Sequence, residues 1–238
     1  MHTVKRTLLV TGASSGIGRV VARRLLTEGH QVIGASRDIR KFGLVMDGFH
    51  TIELNLADLA CLPAKIDGLV QRFPDLDGIV FCAGIGRFGT LEQFSYQQIE
   101  TLIAVNFTGQ AFLTRSLLPH LKRKDRSDLI FIGSEAALKG SRQGAVYCAS
   151  KFAVRGFTQA LREECSKSHL RVSLINPGMV KTEFFENLSF EPGDHESNYI
   201  LPEDVAETVS YVLNSRSDIV IDEISLSPLN KVVKFKKI

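Results

Sequence analysis

A short apolar strand, Thr7–Val10, runs into Thr11-Gly12-Ala13-Ser14-Ser15-Gly16-Ile17-Gly18. Val20, Val21, Leu25 and Leu26 follow at helical spacing. Strand, glycine-rich turn and helix in this order give a glycine motif its meaning. Gly12 permits a tight turn. Gly16 and Gly18 remove side chains where backbone has to approach a pyrophosphate. The helix N-terminus offers free N–H groups and a positive dipole end to that anion. The spacing is G-x-x-x-G-x-G rather than the commoner G-x-G-x-x-G. Ser14, Ser15 and Ile17 lie within the same turn and are counted with it as nucleotide-binding candidates.

The second strand, Gln31–Ala35, ends in Ser36-Arg37, with Asp38, Arg40 and Lys41 behind. The end of this strand reaches the adenosine ribose in dinucleotide folds. An acid there binds the 2′-hydroxyl, whereas an arginine accommodates a 2′-phosphate. A guanidinium suits phosphate by geometry as well as charge, so Arg37 favours NADP over NAD.

Further strands are expected at Thr51–Leu56, Asp77–Phe81, Leu129–Gly133, Arg171–Ile175 and Ile219–Ile224. Helices are expected at Pro63–Phe73, Phe94–Val105, Gln110–Leu121, Tyr147–Ser166 and Pro202–Leu213. Alternation of this kind argues for parallel βαβ units in a doubly wound α/β sheet. No repeat or linker divides the chain, so residues 1–238 read as a single domain, well within the size of one α/β unit. The irregular segment 184–201, with Pro192, Gly193, Asp194, His195 and Asn198, reads as a lid over a site at the carboxyl ends of the strands. His195 reads as an exposed loop residue. The lysine-rich tail, 226–238, reads as solvated.

Composition narrows the function. Apolar residues make up 44% and charged residues 23%, and a net charge of +3 with scattered Lys and Arg gives no case for nucleic acid. No apolar run reaches the ~18 residues a membrane span needs, and the amino-terminal residues carry no signal-peptide pattern. Cys61, Cys82, Cys148 and Cys165 have neither C-x-x-C nor metal spacing and read as small buried residues of a reducing compartment. The expected location is cytoplasmic, with no metal.

Three side chains between Gly133 and Lys151 carry the chemistry. Ser134 ends an apolar strand, where a hydroxyl can hydrogen-bond a substrate oxygen as it becomes an alkoxide. Tyr147 and Lys151 are one helical turn apart. An ammonium beside a phenol lowers its usual value near ~10 and lets it exchange a proton closer to neutral pH. Asn106 interrupts the pattern between Val105 and Phe107, and its amide has to find partners.

Taken jointly, the glycine turn, Asn106, Ser134, Tyr147-x-x-x-Lys151 and Asn176-Pro177-Gly178 resemble the short-chain dehydrogenase/reductase family from Thr7 to about Ile224. The resemblance implies a three-layer Rossmann-type domain of about seven parallel strands. It implies hydride transfer between a nicotinamide and a carbonyl or secondary alcohol carbon. Tyr147 would then be the general acid–base. Lys151 would tune it and hold the nicotinamide ribose, Ser134 would orient the substrate oxygen, and Asn106 would anchor a relay water. Pro177 and Gly178 would pass the nicotinamide, Thr182 would bond its carboxamide, Val180 falls where the family usually has an aliphatic residue, and Arg37 resembles the basic residue of NADP users. The long helices Gln110–Leu121 and Phe152–Glu163 resemble those that join family members into dimers or tetramers.

The sequence departs from that pattern in places. Cys82 precedes Ala83-Gly84 where the family has asparagine, which puts local hydrogen bonding in doubt. Asn55, before Leu56, stands where an adenine-contacting Asp is common. The end of the chain resembles the serine and 3-hydroxy acid dehydrogenases. Lys139 and Arg142 read as loop charges, with a substrate carboxylate as the alternative partner. The activity expected is NADP(H)-dependent carbonyl–alcohol interconversion. A 3-oxoacyl thioester reductase and a non-catalytic NADP-binding regulator are the alternatives.

Overall fold

The computed structural model describes residues 5–43 and 46–236. Elements follow the chain as β1 (Thr7–Thr11), α1 (Gly16–Thr27), β2 (Gln31–Ser36), β3 (Phe49–Glu53), α2 (Leu62–Arg72), β4 (Leu76–Phe81), α3 (Tyr96–Ile103), α4 (Gly109–Leu121), β5 (Ser127–Ile132), α5 (Ala145–Glu164), β6 (Leu170–Pro177), β7 (Phe190–Pro192), α6 (Pro202–Asn214), β8 (Glu223–Leu226) and β9 (Val233–Phe235). The main sheet has seven strands in the order β3-β2-β1-β4-β5-β6-β8. Every pairing in it is parallel. The order reverses between β1 and β4, and a crevice opens there at the carboxyl ends of the strands.

Successive strand residues point to opposite faces, and both faces are covered, so the strands read as unbroken apolar runs. Leu9, Ile33, Ile79, Phe81, Leu129 and Phe131 enter one core with α2, α4 and α5. Their neighbours Leu8, Val10, Val32, Val80, Ile130 and Ile132 enter the other, with α1 and α6. Phe81 and Phe131 stack across β4 and β5 with centroids 4.2 Å apart and fix the middle of the sheet. Among the described residues no helix is long and apolar enough to cross a membrane.

The structure departs from the sequence reading in four places. The last parallel strand, expected at Ile219–Ile224, lies at Glu223–Leu226, where it pairs with β6. The third strand lies two residues early, because Asn55 turns the chain by accepting from the Ala57 N–H at 3.1 Å. α3 and α4 are joined by a wide helical turn over Ala104–Thr108 with Asn106 inside it, so the interruption is a π-bulge within one continuous helical run. The tail is not simply solvated: β9 pairs antiparallel with β7, within the expected lid. Lys234 reaches Asp194 at 2.8 Å, Lys236 bonds the Phe185 carbonyl and Lys231 meets Glu135 at 2.6 Å. Lys237 lies outside the described residues.

Candidate active site

A cavity of about 1210 Å³ follows the crevice from the glycine turn past the end of β2 to Ser134 and Tyr147. Its lining brings together nearly every candidate. Gly12, Ser14, Ser15, Gly16, Ile17 and Gly18 form one end, with Ser36, Arg37, Asn55 and Leu56 beside them. Cys82, Ala83 and Gly84 form the floor, and Ser134, Tyr147, Lys151, Pro177, Gly178, Val180 and Thr182 the far end. Asn106 is the exception. It is fully buried behind the wall and does not line the cavity.

The glycine turn fits an anion. Gly12 has φ +69° and Gly16 φ +47°, the left-handed region where a side chain is strained. Gly18 is needed first by the turn itself: a Cβ there would fall 2.4 Å from the Gly12 carbonyl oxygen. Its role as a gap for the pyrophosphate is therefore secondary to letting α1 pack close. No side chain caps α1 and no acid lies in its first turn, so its N–H groups and positive dipole end stay open to the cavity. At the other strand end, Arg40 binds Asp38 with both arms at 2.9 and 3.0 Å. That removes Arg40 from the basic cluster expected there and neutralises Asp38. Arg37 makes no ion pair among the described residues and faces the cavity. This donor set suits a dinucleotide with an extra phosphate.

Backbone support comes from Thr11, Asn106 and Asn176 together with Gln110, Ser150, Arg155 and Glu223, which the sequence reading passes over. Thr11 Oγ1 accepts from the Ala83 N–H at 3.1 Å, and Gln110 donates to the Ala83 carbonyl at 3.1 Å. These bonds supply the anchorage that Cys82 cannot. Asn106 Oδ1 accepts from the Ile85 N–H, and its Nδ2 donates to the Ile85 carbonyl and the Ser150 hydroxyl at 2.9–3.1 Å. Its side chain is thus spent on holding the loop after β4. Asn176 accepts from the Ser134 N–H at 3.1 Å and donates to Glu223 at 2.7 Å, and Arg155 grips Glu223 from the other side. Gly133 makes this possible, since a Cβ there would sit 2.1 Å from Asn176 Oδ1. No local spacing marks Gln110, Ser150, Arg155 or Glu223, because each acts on a segment far away in the chain.

Tyr147 and Lys151 rise from α5 into the cavity, with the ammonium 5.9 Å from the phenol ring centroid. Lys151 Nζ donates to the Ile132 carbonyl at 3.1 Å and is nearly buried. Burial pushes its pKa down to about 8. Burial also pushes the Tyr147 phenol up to about 12, against the pull of a hydrogen bond with Ser134. The lowering expected from the neighbouring ammonium does not show here: desolvation dominates, and Ser134 supplies the opposing pull. Ser134 additionally caps a short turn by accepting from the Ala136 N–H at 3.1 Å. Thr182 caps another, accepting from the Phe184 N–H at 3.3 Å. His195 is exposed and hydrogen-bonds Ser197 at 2.8 Å, away from this chemistry. Of the cysteines, Cys148 and Cys165 are buried as expected, whereas Cys61 is exposed and Cys82 half-buried.

The family model for short chain dehydrogenases matches residues 6–192. The chain is 30% identical to an NADP-dependent 3-hydroxy acid dehydrogenase of Schizosaccharomyces pombe, over 94% of this chain and 92% of that one. It is also 30% identical to a sepiapterin reductase of Chlorobaculum tepidum, over 94% and 97%. A solved serine dehydrogenase in complex with NADP+ superposes with a TM-score of 0.81 at 27% identity, covering 94% of this chain and 95% of that one.

Proposed function

The chain belongs to the short chain dehydrogenase family, and from that premise we propose that it interconverts a carbonyl compound and a secondary alcohol with NADP(H), using Tyr147 as the general acid–base. The carrying observation is the single cavity that joins the glycine turn and Arg37 to Ser134, Tyr147 and Lys151. NADPH, when bound, supplies the hydride that turns the carbonyl carbon into an alcohol carbon and is left as NADP+. Tyr147 gives its phenolic proton to the carbonyl oxygen as the C=O π bond gives way. In the reverse direction the phenolate takes that proton back. Ser134 hydrogen-bonds the same oxygen and favours the charge that builds on it. Lys151 keeps a positive charge near the phenol. Asn106 is a positioning residue, acting through the Ile85 backbone and Ser150.

Arg37 carries the preference for the phosphorylated dinucleotide, in keeping with the NADP named for the fission-yeast relative. Arg37→Ala should raise the Kd for NADPH by about 10- to 100-fold, the loss of a charge-assisted contact, and leave that for NADH nearly unchanged. Fluorescence titration with both dinucleotides measures this, and equal losses would remove the phosphate assignment. Self-association through α4 and α5 belongs to the same reading. Phe112 and Phe152 on these helices remain 38% and 44% exposed, and sedimentation of Phe152→Glu checks it. The function itself is tested by following NADPH absorbance in both directions across a panel of carbonyl compounds and alcohols. No turnover with any of them, despite NADPH binding, would sink it.

A further inference from the structure

This inference rests on the carbonyl-reduction reading and concerns what the cleft admits beside Tyr147. The wall there is made of phenyl rings. Phe88, from the loop after β4, lies 4.9 Å from the Tyr147 ring between centroids. Phe184, from the segment crossing the cleft, lies 6.1 Å away on another side. Phe190 of β7 meets Phe88 edge-on at 4.9 Å. All three line the cavity together with Ser134 and Tyr147. Phe184 is seated firmly: its ring fills the space over Gly86, where a Cβ would fall 2.2 Å from Cζ.

The rings offer no cation to an acidic substrate, and the charged side chains beside them, Glu135 and Glu183, are acidic. Of the cations at the substrate end of the cavity apart from Lys151, Lys231 is already bound to Glu135 at 2.6 Å. Lys139 and Arg142 are exposed at the mouth. A carboxylate brought beside the carbonyl position would lose its water and meet phenyl rings in exchange, which is costly. A flat apolar body meets the surface it prefers, by stacking or edge contact.

We propose that this cleft selects carbonyl compounds whose carbonyl carries an aromatic body, aryl ketones, with Phe88, Phe184 and Phe190 as the specificity-determining side chains. Short oxo and hydroxy acids are correspondingly poor substrates.

The test compares kcat/KM with NADPH for 1-phenyl-1,2-propanedione and for acetoacetate. The aryl diketone should be preferred by about tenfold or more, the scale on which an apolar pocket discriminates. Phe88→Leu and Phe184→Ala should each lower the ratio of the two kcat/KM values by about tenfold, through KM for the aryl compound, with the NADPH Kd reporting that each variant is folded. Preference for acetoacetate, its loss on Arg142→Ala, or a ratio unmoved in both phenylalanine variants overturns the proposal. Binding of the aryl diketone to NADPH-loaded Tyr147→Phe, read from nicotinamide fluorescence, separates the two readings. Binding there without turnover of either compound by the wild type sinks the reduction chemistry but leaves the pocket. Reduction of acetoacetate with no binding of the aryl compound sinks the pocket but leaves the chemistry.

Discussion

Tyr147→Phe should lower kcat for carbonyl reduction by about 10²- to 10⁴-fold, the contribution of a positioned acid, and leave the Kd for NADPH nearly unchanged. The ring keeps its seat among Phe88, Phe184, Val146 and Leu102, and only the oxygen is lost. The pH dependence follows from the same group. Burial holds the phenol at about 12 in the free protein. The protonated form that reduction needs is therefore present throughout the neutral range, and reduction should vary little there on account of this residue. Alcohol oxidation needs the phenolate, so its kcat/KM should rise as pH rises toward that value. Lys151, pushed down to about 8, keeps its charge below that pH and loses it above. Steady-state rates in both directions across pH read these outcomes. Wild-type rates in the phenylalanine variant, or oxidation that falls with rising pH, would remove Tyr147 from the reaction.

Asp128→Ala costs about 3–5 kcal/mol of stability, the penalty for leaving buried charge uncompensated. Asp128 sits on β5 at the end of the sheet remote from the cavity and is 1% exposed. It binds Arg6 at 2.5 Å and Arg171 at 2.7 Å, both nearly buried, and Arg6 also reaches Asp77 at 3.1 Å. Removing the shared carboxylate leaves the buried Arg171 guanidinium without an acidic partner and Arg6 with Asp77 alone. The loss is a large part of the ~5–15 kcal/mol that holds a domain together and corresponds to a fall in Tm of about 6–20 °C for a chain of this size. Calorimetry of the variant decides the matter, and a Tm within about 2 °C of wild type would mean that the network is dispensable.

The parallel sheet could be read from the chain because its strands are apolar on both sides, a pattern that local periodicity captures. Leu8 through Val10 and Leu129 through Ile132 send alternate residues into two separate cores and read as continuous runs for that reason. The cavity lining was legible for a related reason. Glycine turns and strand ends are fixed by local geometry, and in this topology strand ends converge at the switch point. The rest depended on partners far apart in the chain. Gln110 reaches back to Ala83, Asn176 to Ser134 and Glu223 to Asn176, and no spacing rule links them. The Tyr147 shift runs opposite to the sequence expectation because a one-turn separation predicts the ammonium but not the depth of burial. Residues 231–236 read as solvated because lysine dominates. Their Lys-Val-Val-Lys-Phe-Lys alternation becomes a strand only once β7, with Glu191 and nearby Asp194, stands opposite.

The pairing of β7 with β9 also sets an order of events during synthesis. β9 leaves the ribosome after all seven parallel strands have emerged. The sheet and the dinucleotide end of the cleft can consolidate before it arrives, whereas the wall that carries Phe190 stays without its strand partner until then. A chain ending before residue 230 should accordingly hold nucleotide yet lack a finished substrate chamber.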